Sequence, residues 1–170
     1  TEFAHRNRFE YNGKKSGGMA FNATHATMDA VRRTRWELSG REVKVVDKYT
    51  YLGTTTTPDA EDWRPHVRSV IGEAKRRSAE LLYLCRFDRG MRPRTAVTLW
   101  QSLVRPVLEY ASEIWSSQIP RYLVQKAEGV QMKFLRGAVG LHKKGSGVAD
   151  EVLRAEVGCE RLEDRWSKLR

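Results

Sequence analysis

The side chains of this sequence that are best placed to do chemistry are basic, and they follow one side of a predicted helix. Arg64, Arg68 and Lys75 lie four and seven residues apart, so at about 100° per residue they fall within a narrow arc. Glu73 and Glu80 fall nearly opposite. Such an arc suits the phosphates of a nucleic acid, because each neutralised phosphate releases condensed counterions. A helix edge that covers the core with its aliphatic stems explains the pattern equally well.

The composition favours a polyanionic partner. The 170 residues include 31 Lys and Arg against 21 Asp and Glu, which gives a formal net charge of +10. Apolar residues make up 40% of the chain, which is enough for a core and excludes global disorder. On charge alone, a generally basic protein without a nucleic-acid partner is the alternative.

Other chemistries find little support in the sequence. Cys85 and Cys159 are isolated, which suits core thiols of a reduced compartment better than metal ligands or disulfides. The adjacent acids Glu61 and Asp62 fit the first turn of a helix better than catalysis. We therefore predict no metal site. Because there is neither a signal peptide nor a long apolar run, we also predict no membrane contact and a nuclear or cytoplasmic protein.

The elements that position these residues predict an α+β fold, with a small antiparallel β unit followed by helices. Alternating residues over 8–12 and 19–22 predict two strands. Between them lie a turn at Asn12-Gly13 and a basic loop over residues 14–18, whose lysines, by residue type alone, indicate a solvated loop tip. We predict an irregular connection over residues 23–35.

A second β unit follows. Strands are predicted over residues 36–38, 42–46 and 49–52, each pairing with the one before it, with turns at Ser39-Gly40 and at residues 47–48. Gly53 then provides the backbone freedom to leave the sheet.

The rest of the chain has helical periodicity. Thr57-Pro58-Asp59 predicts the start of a helix over 60–86, and residues 54–57 a polar joint. Pro106 should kink the second helix, in which two tryptophans are expected in the core. The remaining predictions are a helix over 121–138, a basic loop over 141–147, a helix over 148–157 ending at Gly158, and a last helix from about 161.

Several segments, taken in order, resemble the late palm and thumb of the reverse transcriptases of non-LTR (LINE-type) retrotransposons. The segments are Asn12-Gly-Lys-Lys15-Ser16, Tyr49-Thr-Tyr51-Leu52-Gly53, Trp63-Arg-Pro-His66, Leu99-Trp100 with Pro106-Val-Leu-Glu-Tyr110, and Leu153-Arg-Ala-Glu156-Val-Gly158. The first is similar to that family's Asn-x-x-Lys-Ser/Thr motif and the second to its primer grip. The resemblance covers essentially the whole chain.

The resemblance implies the end of a polymerase palm over residues 1–53, thumb helices over 54–115 and post-thumb linker helices over 116–170. It implies a nucleotidyltransferase that extends a DNA primer on an RNA template, with Mg²⁺ held by palm aspartates outside this chain. The palm and fingers of the full-length protein would be its structural partners.

The resemblance also implies roles for single residues. Lys15 would act as a general acid toward the departing pyrophosphate, with Asn12 and Ser16 supporting its loop. The primer grip would consist of Tyr51, Leu52 and Gly53. Arg64, Arg68 and Lys75 would contact the backbone of the RNA–DNA duplex.

The chain departs from the family in one respect that matters for activity. It contains no Phe/Tyr-x-Asp-Asp sequence, so we expect it to be inactive alone. It begins at Thr1 and ends within a helical pattern, so we expect a fragment. The alternatives are a stand-alone basic nucleic-acid-binding module and a degenerate element remnant without activity.

Overall fold

The structure, a computed structural model, describes residues 2–13, 15–87, 91–141 and 147–170. It divides into two compact units, Thr1–Pro65 and His66–Arg170. The first unit holds two small antiparallel sheets and short helices, and the second is helical. This arrangement confirms the predicted α+β class. The three-part division implied by the resemblance stays a prediction.

Two short helices lie in the first unit, one of them where the sequence predicted no regular structure. Helix α1 runs over Glu2–Arg6 and helix α2 over His25–Arg33. Thr24 caps α2, because its Oγ1 accepts a hydrogen bond from the amide of Thr27 at 3.3 Å, and such a cap favours a helix start. The prediction of an irregular connection over residues 23–35 is therefore wrong.

The strands predicted over residues 8–12 and 19–22 do not form in the described chain. Phe9 instead packs edge-on against Phe3 and Tyr11, with ring centroids 5.9 and 5.4 Å apart. The alternating aromatic residues therefore serve a local ring cluster and not one face of a strand.

Each sheet of the first unit is a hairpin closed by a two-residue turn. Strand β1 (Trp36–Leu38) pairs antiparallel with β2 (Arg41–Val43) around Ser39-Gly40, the turn that the sequence predicted. The two turn residues have φ of 52° and 73°. Positive φ at both positions matches the right-handed twist of a hairpin.

The second hairpin differs from the prediction. Strand β3 (Tyr49–Tyr51) pairs with β4 (Thr54–Thr56), not with β2. The turn consists of Leu52 and Gly53, with φ of 47° and 78°. Gly53 therefore closes a turn and does not lead the chain out of the sheet. The predicted polar joint is mostly strand, because β-branched threonines favour an extended backbone.

The long helix α3 (Arg64–Phe87) begins later than Thr57-Pro58-Asp59 predicted. The Oδ1 atom of Asp59 accepts a hydrogen bond from the amide of Glu61 at 3.1 Å, which holds a turn before the helix. Asp62 then accepts a hydrogen bond from the amide of Arg64 at 3.0 Å. Glu61 and Asp62 therefore precede α3, whose first turn holds no acidic residue, so the prediction that they lie in the first turn is wrong. Asp62 instead satisfies a backbone donor at the helix start.

The second unit contains the remaining helices. They are α4 (Pro93–Leu103), α5 (Arg105–Glu109), α6 (Ser112–Trp115), α7 (Arg121–Ala138), α8 (Asp150–Val157) and α9 (Leu162–Leu169). The predicted break at Pro106 is confirmed, because the backbone leaves the helix at Val104 before α5 begins. Helix α7 has the predicted bounds, and Gly158 ends α8 with a φ of 64°. Most of the basic loop predicted over 141–147 lies outside the described residues.

Aromatic side chains form the core of the second unit. Trp100 stacks on Phe134 with centroids 5.9 Å apart, and Trp115 meets Trp166 edge-on at 5.0 Å. All four are essentially buried. The Nε1 of Trp100 donates a hydrogen bond to the buried Oγ of Ser78 at 2.9 Å. The prediction that the helical tryptophans are core residues is confirmed.

Buried titratable groups complete this core. Cys85 and Cys159 are buried free thiols, and burial raises the pKa of both. Burial also lowers the pKa of His66, which is 1% exposed and packs edge-on against Trp115. Neutral forms are favoured in each case, because a charge loses its hydration inside the protein.

A polar network joins α7, α8 and α9 beneath the surface. Arg154 donates from Nη2 to Glu128 at 2.5 Å and from Nε to Gln131 at 3.1 Å. Glu128 also accepts a hydrogen bond from the amide of Glu163 in the first turn of α9, at 3.1 Å. Gln131 donates to the carbonyl of Glu160 at 2.9 Å. One charged pair therefore fixes the packing of three helices.

Candidate nucleic-acid interface

The loop that carries Lys15 is a compact turn in the first unit. The carbonyl of Asn12 accepts hydrogen bonds from the amide of Lys15 and from the Oγ of Ser16, both at 3.0 Å. Lys14 lies outside the described residues, whereas Lys15 is exposed. The structure therefore brings together Asn12, Lys15 and Ser16, the residues that the sequence analysis grouped in one loop.

This loop is fastened to the strand segment that leads into the second hairpin. The amide of Gly18 donates to the carbonyl of Lys44 at 3.0 Å, and the amide of Val46 donates to the carbonyl of Gly18 at 2.9 Å. A Cβ at Gly17 would lie 3.2 Å from Cγ2 of Val46 and 3.4 Å from Cδ2 of Tyr49. Close approach of the loop therefore depends on a glycine at position 17.

Tyr49 makes the most direct connection between the loop and the hairpin. Its hydroxyl donates a hydrogen bond to the backbone carbonyl of Lys15 at 2.5 Å. Tyr49 lies in the segment that resembles the primer grip, but no separate role was predicted for it. The only feature of the sequence that could have indicated this contact is a tyrosine, with its ring and hydroxyl, at the start of β3. Tyr49 positions the Lys15 backbone relative to the hairpin.

The tip of that hairpin presents apolar groups outward. Tyr51 is 64% exposed and Leu52 is 73% exposed. Leu52 also adopts left-handed backbone geometry, which costs about 1–2 kcal/mol for a side chain other than glycine. Neither burial nor backbone preference therefore explains a leucine here. Leu52 therefore combines an exposed apolar side chain with a strained turn position.

The three predicted phosphate contacts on α3 differ in availability. Arg64 is held by Asp62 through two parallel bonds of 2.6 and 2.9 Å, so its charge is largely compensated locally. Arg68 is exposed and donates to the hydroxyl of Tyr122 at 2.9 Å. Lys75 is exposed. The usable positive charge on this arc therefore lies at Arg68 and Lys75.

The acidic residues of α3 are engaged elsewhere. Glu73 accepts hydrogen bonds from Arg76 and Arg77, and Arg76 also contacts Glu80. The hydrogen bond from Arg76 is the main reason that the pKa of Glu73 falls to about 2. These acids are occupied by Arg76 and Arg77 and do not pair with Arg68 or Lys75. The segregation of charge read from the sequence is therefore present on the folded helix.

A groove of about 500 Å³ runs between α3 and α7. Lys75 lines it from α3, and Lys126 and Lys133 line it from α7. The ammonium of Lys126 lies 5.4 Å from the ring centroid of Tyr122. No binding role was predicted for the α7 lysines from the sequence. Their spacing of seven residues was the only signal, and surface lysines at that spacing are common.

The described residues provide no set of carboxylates for magnesium. Among them, no three His, Cys, Asp or Glu side chains come together as potential metal ligands. Asp62, Glu73 and Glu80, the acids beside the basic arc, are each paired with an arginine. The Mg²⁺ that the resemblance implies therefore has no fitting site in the described part of this chain.

None of the helices in the described ranges combines the length and apolarity needed to cross a bilayer. Comparison with protein-family models finds no match, and searches of curated proteins and of solved structures find no similar protein.

Proposed function

We propose that this chain is the primer-positioning and duplex-binding part of an RNA-directed DNA polymerase of the non-LTR retrotransposon type. The observation that carries the proposal is the hydrogen bond from Tyr49 to the carbonyl of Lys15. It couples the two segments whose sequences resemble the lysine motif and the primer grip of that family. The protein would act in the nucleus or the cytoplasm.

Each half of the candidate site has a distinct task in this proposal. Tyr51 and Leu52 contact the end of the primer, where small displacements are costly to the rate of transfer. The exposed ammonium of Lys15 protonates the departing pyrophosphate in the complete polymerase, and Asn12 and Ser16 hold its loop closed. Gly53 permits the turn that presents the tip.

The helical unit supplies sequence-independent affinity. Arg68 and Lys75 contact phosphates of the template–primer duplex, which fixes its register without reading bases. The palm aspartates, with their metal ions, belong to a part of the polymerase that this chain does not contain. The chain alone therefore binds an RNA–DNA duplex but does not extend a primer. A stand-alone nucleic-acid-binding module would also bind a duplex without extending a primer. A reading frame with an Asp-Asp palm motif upstream of this chain would favour the polymerase over the stand-alone module.

Affinity for an RNA–DNA duplex should fall steeply as salt is raised. Arg68→Gln and Lys75→Gln should each weaken binding and reduce the slope of log K against log salt by about one. Fluorescence anisotropy with a labelled duplex measures both quantities. Arg94→Gln, at an exposed arginine of α4, is the matched control. An affinity that stays flat from low to moderate salt would exclude phosphate contact as the mechanism.

The primer-grip assignment predicts that Leu52→Asn separates binding from stability. Asparagine tolerates left-handed geometry, so the free energy of unfolding should rise by up to about 1 kcal/mol. Affinity for a duplex with a recessed primer end should nevertheless fall roughly fivefold. The free energy equivalent to that change is about half of what full burial of a leucine contributes. Anisotropy and urea denaturation measure the two effects.

Ser39→Asn is the matched control for this substitution, because Ser39 occupies the same position in the first hairpin with a φ of 52°. It should stabilise the chain without changing affinity for the recessed end. If Leu52→Asn leaves the affinity unchanged, the hairpin tip does not contact the primer.

A further inference from the structure

The groove between α3 and α7 combines a basic rim with an apolar floor, and duplex binding requires only the first of these. Its rim carries the ammonium groups of Lys75, Lys126 and Lys133, and all three side chains are exposed. Among the described residues, none of the three ion-pairs with a carboxylate, although the neighbouring arginines of α3 are fully engaged with Glu73 and Glu80. The three lysines of the rim therefore carry positive charge that the described carboxylates do not neutralise.

The floor of the groove is apolar. Ile71 and Leu82 line it from α3 and Val130 and Phe134 from α7, whereas Ala79 and Gly129 line it at exposed positions. A Cβ at Gly129 would meet nothing within 4 Å, so packing does not require glycine there. Glycine in a helix interior costs about 1 kcal/mol relative to alanine. The lining therefore leaves room for a side chain at position 129.

The character of the floor argues against a single-stranded nucleic acid. Such strands bind on exposed aromatic rings, where successive bases stack. The aromatic residue of this groove is Phe134, which is 0% exposed and is already stacked on Trp100. No described lining residue offers a free ring face to a base.

An apolar floor between lysines instead matches a helix that has an apolar stripe flanked by carboxylates. Lys126 and Lys133 are seven residues apart, or about 10.5 Å along α7, which corresponds to two turns of a docked helix. We propose that the α3–α7 groove binds an acidic amphipathic helix of a partner protein. This interaction goes beyond the proposed duplex binding and shares only Lys75 with it.

A synthetic peptide tests this inference on the full chain. The probe is a labelled helix of about 14 residues, roughly four turns, with leucines at every third or fourth position and glutamates beside them. A second peptide carries lysines in place of the glutamates. A third has the composition of the first but its leucines spread around the helix. Fluorescence anisotropy gives the affinity of each.

Two variants alter the groove without touching the residues assigned to the duplex. Gly129→Leu adds a bulky side chain to the lining of the groove, and the double variant Lys126→Glu/Lys133→Glu reverses the charge of the rim. Ala155→Leu adds a leucine at an exposed position of α8, and Arg94→Glu reverses an exposed charge on α4. The last two are matched controls for added apolar volume and for lost positive charge.

The chain should bind the first peptide and discriminate against the other two. Gly129→Leu and the double lysine variant should each weaken that binding at least about tenfold, whereas the controls should stay within about twofold of the unaltered chain. The melting temperature of Gly129→Leu should not fall, because leucine is the better helix former. Its affinity for the RNA–DNA duplex should be unchanged, which separates failure of this inference from failure of the proposed function.

Three results would overturn the inference. The first is equal affinity for the acidic peptide in Gly129→Leu and in the unaltered chain. The second is failure of the chain to prefer the acidic amphipathic peptide over the other two. The third is binding of a labelled single-stranded RNA that competes with the peptide and is lost in Gly129→Leu, which would assign the groove to nucleic acid.

Discussion

Replacing Arg154 with leucine is expected to lower the free energy of unfolding by about 3–5 kcal/mol. The side chains of Arg154 and Glu128 are only 10% and 12% exposed. Without the arginine, Glu128 keeps a desolvated negative charge, and the Oε1 of Gln131 loses its donor. A buried charge without its partner is among the most destabilising changes a core can undergo.

The effect should be specific to the unpaired charge. Replacing both members, as Arg154→Leu/Glu128→Leu, should recover much of the stability that the single variant loses, because two leucines leave no buried charge. The recovery will be incomplete, since Glu128 also accepts the hydrogen bond from the Glu163 amide. Urea denaturation followed by far-ultraviolet circular dichroism measures all three variants. Additive losses in the double variant would contradict the assignment of Arg154 and Glu128 as a coupled pair.

Replacing Arg136 with leucine provides a comparison at a second ion pair between α7 and α8. Arg136 donates to Asp150 at 2.7 Å, but the aspartate side chain is 46% exposed. Water can hydrate the carboxylate once the arginine is gone, so the loss should be about 1 kcal/mol or less. The contrast isolates burial as the cause of the larger loss.

The helical unit was the predictable part of this fold. The apolar period identified α7 with its bounds, and Gly158 and Pro106 marked where helices end or break. These signals are local, because a proline or a left-handed glycine acts on its own turn of helix. The polar network around Arg154 was not predictable, because it joins three helices that are distant in the sequence.

The β unit was less predictable because strand pairing depends on which turn closes. The sequence predicted a turn at Asp47-Lys48, whereas the structure closes the second hairpin at Leu52-Gly53. A leucine is an unusual residue for positive φ, so residue type gave no reason to prefer that turn. Strand β3 pairs with Thr54–Thr56 because β-branched threonines favour an extended backbone. The polarity of these threonines had instead suggested a joint between elements.

The candidate site was predictable in its members but not in its connections. Lys15 and the hairpin were grouped by resemblance, and the hydrogen bond through Tyr49 is visible only in the fold. Arg64 could be placed on the basic arc from spacing, but its pairing with Asp62 could not. The proximity of Lys126 and Lys133 to Lys75 could not be predicted, because it depends on how α7 packs against α3.

Replacing Trp100 with alanine should lower the free energy of unfolding by about 3–5 kcal/mol. Trp100 is 0% exposed, stacks on Phe134 and donates to Ser78. Its removal leaves a cavity and also leaves the buried Oγ of Ser78 without this donor. Because Phe134 lies beneath the α3–α7 groove, the variant should also weaken every interaction that depends on that floor.

Trp100→Phe separates the ring from its hydrogen bond. It retains much of the packing against Phe134 but removes the donor to Ser78, so the expected loss is about 1–3 kcal/mol. Adding Ser78→Ala removes the orphaned hydroxyl and should restore part of that loss. Urea denaturation of the two single variants and the double variant gives the coupling energy between Trp100 and Ser78. A coupling energy near zero would mean that Trp100 holds α4 to α3 by packing alone. In that case, Trp100→Phe should bind the acidic peptide as tightly as the unaltered chain.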